Sequence, residues 1–372
     1  MRSTEAKSGE ACCRNPIKEE EYSLMATQHI SICPVLVGYG GYGLVNSELP
    51  LRLSESLYFE DVSEIVEKMT FDPLVPQFYS RSEADRLKQT RYALTRRFEC
   101  ADRDRHVMDE ESAKLLYELY LGLKVIRPTA GRYQVLHCET GRPTPRLPRG
   151  SRNDYGTILC DCELLNTIRW KDLQELAAIA TGILSTLKEA RNPISQAVQS
   201  LEIGYRADFL NVRHLLWVIG LDALFTSIEW ENRGSRVTVK RIVDFLGPDF
   251  PIYPEKPRLD YDLQAPPNIS MPLNLALRDI YRLRNDFAHG TWPDKKWAGR
   301  VCRRSLDGSR DIYYAEVLSE AASAVMRACL KHILSDLKLV EMFNEKTKMN
   351  AYYASRGLLR KKRKQTEGCK PT

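Results

Sequence analysis

The segment from Phe209 to Phe225 constrains the fold more than any other. Leu215, Leu216, Trp217, Val218 and Ile219 stand consecutively in it, and apolar residues fall on nearly every side of the helix it would form. A helix of that kind is buried against several neighbours or against a dimer partner. It is shorter than the roughly 20 residues that cross a bilayer. It is therefore expected to be the central helix of a helical assembly.

The surrounding sequence supplies the neighbours. Leu173, Leu176, Ala180, Ile183 and Leu187 recur at helical spacing, and Asn192-Pro193 closes that helix and can launch the next. A short helix is expected near Val237 to Leu246, followed by a long connection carrying Pro248, Pro251, Pro254, Pro257, Pro266 and Pro267. Two further helices are expected, from Leu273 to His289 and from Ile312 to Leu334, the latter with Leu318, Ala322, Val325, Cys329 and Ile333 on one stripe.

The first half reads differently. Strands are expected at Ile32 to Val37, Leu51 to Phe59, Tyr133 to Cys138 and Thr157 to Cys160, with helices at Ser82 to Phe98 and Asp109 to Lys124. With 372 residues the chain has room for two domains. The expected organisation is mostly α: a polar, disordered leader over 1–28, a small α+β domain over 29–165, an antiparallel helical bundle over 166–348 and a basic disordered tail over 349–372.

Composition adds limits. The charge of +6 suits anionic partners, but part of it belongs to the run Arg360-Lys361-Lys362-Arg363-Lys364. Ten cysteines scattered without a repeating framework point to reduced thiols. The first 28 residues lack the apolar stretch of a signal peptide, and no window suits a membrane-spanning helix, so a cytoplasmic protein with no membrane partner is expected.

The chemistry gathers on Leu273 to His289. At about 100° per residue, Leu273, Ala276, Ile280, Leu283 and Phe287 share one face, and Arg278, Arg282, Asn285 and His289 share the opposite one. Arg284 flanks the apolar stripe. Guanidiniums, a carboxamide and an imidazole along one helix combine anion-binding forks with a group that exchanges protons near neutral pH, an inventory suited to a phosphodiester.

Leu277 to Trp292, reading LRDIYRLRNDFAHGTW, resembles the motif helix of the HEPN superfamily, in its ApeA-like branch. The likeness extends back to Arg213-His214-Leu215-Leu216-Trp217 and Leu221-Asp222-Ala223-Leu224-Phe225, and forward to the helix from Ala321 to Leu334. The resemblance implies an HEPN-like bundle and a homodimer whose motif helices meet at the two-fold axis in one composite cleft. It also implies a ribonuclease, in which the 2′-hydroxyl of single-stranded RNA attacks its own phosphate and leaves a cyclic phosphate end, without metal or cofactor. A bacterial stress or phage-defence setting goes with it.

Carried onto this chain, the resemblance makes His289 the general acid or base. Arg284 stabilises charge developing on the phosphorane, and Asn285 holds the phosphate or orients the histidine. Asp222 supports the motif from the apolar helix. Arg282 is a second candidate for the arginine role, because the family tolerates more than one spacing and Arg282 shares the face of His289. Two other classes fit the same residues: a non-catalytic dimerisation or interaction module, and an RNA-binding module that holds phosphates without cutting.

Other signals carry less. Gly38-Tyr39-Gly40-Gly41-Tyr42-Gly43 fits a dinucleotide-binding pattern, but Asn46, Ser47 and Pro50 stand where the phosphate-binding helix should begin, so no cofactor is assigned. His137-Cys138 and Cys160-x-Cys162 have spacing too tight for ordinary zinc ligation, and no metal is assigned.

Overall fold

The computed structural model describes residues 27–35, 49–69, 90–127, 135–139, 142–146, 168–187, 192–226, 235–252, 272–290, 301–304 and 311–358. Over these the chain is mostly helical with a small antiparallel sheet. The glycine-rich turn, the strand expected at Thr157 to Cys160, Cys160, Cys162 and the run 360–364 lie outside the described residues, as does the expected domain boundary at 165.

The six-stranded sheet contains β1 (Thr27–Pro34), β2 (Leu51–Arg52), β3 (Leu57–Asp61), β4 (Tyr92–Cys100), β5 (Leu136–Glu139) and β6 (Arg142–Arg146), in the spatial order β2-β3-β4-β1-β5-β6. Side chains alternate across it. Ile30 and Ile32 of β1 join Ala93, Leu136 and Cys138 against Val66 of the short helix α1 (Ser63–Glu67). The other face meets α2 (Arg105–Ile126): Arg96 donates to Ser112 Oγ at 3.2 Å and to Glu111 Oε2 at 3.0 Å, and His137 lies 3.4 Å from Asp109.

Three sequence expectations are corrected here. Tyr92 to Phe98, expected as the end of a helix, forms the central strand β4, paired with β1 from Pro34↔Ala93 to Thr27↔Cys100 and with β3 from Leu57↔Arg96 to Asp61↔Tyr92. Pairing with segments about 35 and 65 residues away in sequence overrides the local helical pattern. Leu51 to Phe59, expected as one strand, folds back on itself: Leu51 pairs with Phe59, and the Leu53 N–H donates to Leu57 O at 2.9 Å. Thr27 and Gln28 belong to β1 rather than to a disordered leader.

The remaining helices are α3 (Trp170–Thr186), α4 (Pro193–Arg206), α5 (Leu210–Phe225), α6 (Ser235–Leu246), α7 (Leu273–Ala288), α8 (Tyr314–Leu334), α9 (Leu337–Phe343) and α10 (Lys346–Ser355), with a hairpin β7 (Val301–Arg304) and β8 (Asp311–Tyr313) before α8. Asn192 caps α4 by accepting the Ser195 N–H at 2.7 Å, and Pro193 occupies its first turn, where a missing N–H costs nothing. The helix expected from Ile312 begins at Tyr314, whose start is fixed by the Tyr313 N–H donating to Glu316 Oε2 at 3.0 Å.

Helix α8 occupies the middle, packing against α2, α3, α4, α5 and α7. Helix α2 is buried on all sides from Glu118 to Ile126 because it lies between the sheet and the helices. Its last carbonyl, Ile126 O, accepts from the buried Arg327 of α8 at 3.2 Å. One continuous apolar core runs from Phe59 and Leu94 of the sheet through Leu119 to Val218, Ile280 and Leu330.

The apolar helix α5 is not central. Its inward side, with Trp217, Val218, Leu221 and Leu224, is buried, while Phe209 and Ile219 are 72% and 53% exposed. The C-terminal segment is a second correction to expected disorder. Met349 and Tyr353 of α10 are buried, the Tyr353 hydroxyl donates to Leu224 O at 3.1 Å, and the buried Arg241 of α6 donates to Phe225 O at 2.8 Å and to Leu358 O at 3.2 Å. The bonds to Leu224 O and Phe225 O occupy carbonyls that the end of α5 would otherwise leave unsatisfied. No helix among the described residues is long and apolar enough to cross a membrane.

Candidate functional site

The site is built on α7. Leu273, Ala276, Leu277, Ile280, Leu283 and Phe287 are buried, which sets the helix's rotation and leaves Arg278, Arg282, Asn285 and His289 exposed. The helix ends at Ala288. His289 is its C-cap, with its N–H donated to Asn285 O at 3.0 Å, and Gly290 follows at φ 67°, a left-handed conformation that glycine adopts without steric cost. The glycine thus places the histidine at an exposed helix terminus.

The structure separates the two arginine candidates. Arg282 lies on the face of His289 and is 67% exposed; its Nη1 contacts Asp279 Oδ1 at 3.3 Å, and Asp279 also accepts the Tyr314 hydroxyl at 3.2 Å. Arg284 is half-buried and turned toward α5. Its guanidinium carbon lies 5.6 Å from the centre of the Tyr281 ring, and its Nε is buried with no hydrogen-bond partner among the described residues. Five residues of helix place Arg284 and His289 about 140° apart around the axis, so one chain alone does not aim them at the same point.

Arg284 sits in a cluster with Asp222, Tyr281 and His214. The Tyr281 hydroxyl donates to Asp222 Oδ1 at 2.8 Å. Burial raises the Asp222 carboxyl above its ordinary value, while the Tyr281 hydrogen bond and the nearby Arg284 charge pull it back down. Burial and the adjacent Asp222 carboxylate push the Tyr281 phenol well above its ordinary range, so it stays protonated and remains a donor. Asp222 is thus tied to α7 through Tyr281, with the Arg284 charge nearby.

His214 was legible only as part of the resemblance and had no assigned role. It is fully buried between three helices: Nε2 lies 2.9 Å from Ile280 O of α7, Nδ1 lies 3.0 Å from Ser319 Oγ of α8, and its ring meets Phe287 edge-on at 5.6 Å. A carbonyl only accepts, so Nε2 carries the proton; Nδ1 faces the Ser319 hydroxyl, whose single proton is also offered to Ala315 O at 2.9 Å. Burial, reinforced by the Arg284 charge, lowers its pKa from 6.5 to about 4, so the ring is neutral at physiological pH. A histidine directly before the apolar run Leu215 to Ile219 was the sequence signal for buried polar partners.

Of the other sequence candidates, His137 is buried in the sheet with its Nδ1 2.7 Å from Ser31 Oγ, while Cys138 lies on the opposite face. The two therefore do not converge. No family model, no curated protein and no solved structure matches the chain.

Proposed function

We propose that the chain is an endoribonuclease of the HEPN type, cutting single-stranded RNA without a metal ion, with His289 as general acid or base, Arg284 stabilising the phosphorane and Asn285 holding the phosphate. The observation that carries the reading is the exposed row Arg278, Arg282, Asn285 and His289, laid along one helix and ending at a glycine-fixed terminus. Arginines along the row bind the RNA backbone, and the terminal histidine moves the proton.

The working unit is a homodimer. The exposed apolar residues Val212 and Ile219 of α5, with Phe209 at its N-cap, supply surface for a second copy, and the partly exposed Arg284 then reaches the cleft that its partner's motif helix completes. A bacterial stress or phage-defence role belongs to the same proposal.

The alternative is a non-catalytic interaction or RNA-binding module, favoured by the inward turn of Arg284 toward Asp222 and Tyr281, which gives that arginine a purely architectural use. Incubation with end-labelled single-stranded RNA in excess EDTA separates the readings. The ribonuclease gives fragments with cyclic phosphate ends, lost in His289→Ala and Arg284→Ala. Salt-sensitive RNA binding without fragments, unchanged in His289→Ala, identifies the binding module.

A further inference from the structure

We propose that His214 is a positioning residue for the ribonuclease site, seating the turn of α7 that carries Arg284 through its hydrogen bond to Ile280 O. The inference rests on the endoribonuclease reading and adds to it a residue outside the motif helix.

The argument starts from the acceptor. Ile280 O is the carbonyl to which α7 offers the Arg284 N–H, four residues on, so His214 uses the second lone pair of the carbonyl that fixes the Arg284 backbone. The same ring is tied to α8 through Ser319 and packs on Phe287, one turn beyond Arg284 and two residues before His289. At the next residue, Tyr281 of α7 is held by Asp222 of the same helix α5. Helix α5 thus grips α7 at two successive residues, once by its backbone and once by a side chain. Two directional bonds at adjacent positions fix both the rotation and the axial placement of a helix, which apolar packing alone specifies less sharply.

The neutral state of the ring suits this use. A protonated His214 would set a second positive charge beside Arg284; burial keeps the ring neutral and the Nε2 proton directed at Ile280.

Two amide substitutions separate positioning from simple core filling. The carboxamide nitrogen of glutamine reaches the position of the histidine Nε2, and that of asparagine the position of Nδ1. His214→Gln therefore keeps a donor for Ile280 O, while His214→Asn keeps only the contact with Ser319. Cleavage of a labelled single-stranded RNA is measured at matched folded fractions, together with amide hydrogen exchange across α7. His214→Asn is expected to lower kcat between about tenfold and a hundredfold with KM changed less than about twofold, and His214→Gln to recover most of it. Amides from Arg284 to Gly290 are expected to exchange faster in His214→Asn than in His214→Gln, with those of α3 unchanged. Equal kcat in the two variants, or exchange that does not distinguish them, overturns the inference. A wild type that leaves RNA intact while the exchange contrast holds upholds the seating of α7 and overturns the ribonuclease reading alone.

Discussion

Arg282 and Arg284 stand two residues apart on one helix and have different work. Arg284 belongs to the inward face of α7, where Asp222, Tyr281 and His214 surround it; Arg282 belongs to the outward face, exposed beside Asp279 and in line with Asn285 and His289. The difference teaches that a motif written as one string of residues is two structures in space. One face holds the helix in place, and the other faces the medium in which a substrate would arrive. Changes at Asp222, Tyr281 and His214 are expected to act through stability and placement, and changes at Arg282, Asn285 and His289 through RNA alone.

The largest expected effect sharpens that contrast. His289→Ala should lower RNA cleavage by about 10²- to 10⁴-fold, the usual worth of a general acid or base, with the unfolding free energy unchanged within about 0.5 kcal/mol. A large loss of stability in that variant, seen by urea unfolding, would place His289 on the wrong side of the comparison.

The second effect is a pH dependence confined to the inward face. The folded pKa of His214 is about 4, below its ordinary 6.5, so the unfolded chain binds more protons between these values. The stability it confers is complete above pH 6.5 and is lost as the pH falls through about 4, a loss on the order of 3 kcal/mol. Asp222 works in the opposite direction, since its raised carboxyl takes up a proton first in the native state. Urea unfolding between pH 7 and 4 should show His214→Gln flattening the acid slope and Asp222→Asn steepening it. A slope indifferent to His214 breaks the assignment.

Tyr281→Phe should cost about 1–3 kcal/mol, because it leaves the buried Asp222 Oδ1 without its donor. The smallest expected change belongs to the outward face: Arg282→Ala removes an exposed ion pair with Asp279, and stability should move by less than about 0.5 kcal/mol. In RNA-binding titrations at several salt concentrations, however, the slope should fall by about one ion. An Arg282→Ala variant that melts early, or a Tyr281→Phe variant that does not, would dissolve the distinction between the faces.

How much of this could be read from the sequence follows from how local each feature is. The period of Leu273, Ala276, Ile280, Leu283 and Phe287 is a property of one helix, and the structure gives that helix the boundaries and outward row it implies, one residue short at His289. Strand β4 was misread because its reason for being a strand lies in Cys33 and Phe59, its partners at Leu94, far away in the chain. The segment after Met349 was misread for a similar reason: Met349, Tyr353 and Leu358 are buried there among the described residues, and their burial depends on partners far away in the chain, Arg241 and Leu224. At the site, Asp222 was named through the resemblance alone. The contacts of His214 could not be read from the sequence, since they are to a backbone carbonyl of α7 and a serine of α8.

The most direct test of the central claim uses one RNA oligonucleotide in two forms, all-ribose and with a single 2′-deoxy nucleotide at the cleaved position, each incubated with the 372-residue chain in excess EDTA. The account predicts cleavage of the all-ribose strand with a cyclic phosphate end, and none at the substituted position. Cleavage that persists at the deoxy nucleotide, or that disappears from both strands once EDTA is added, would contradict it.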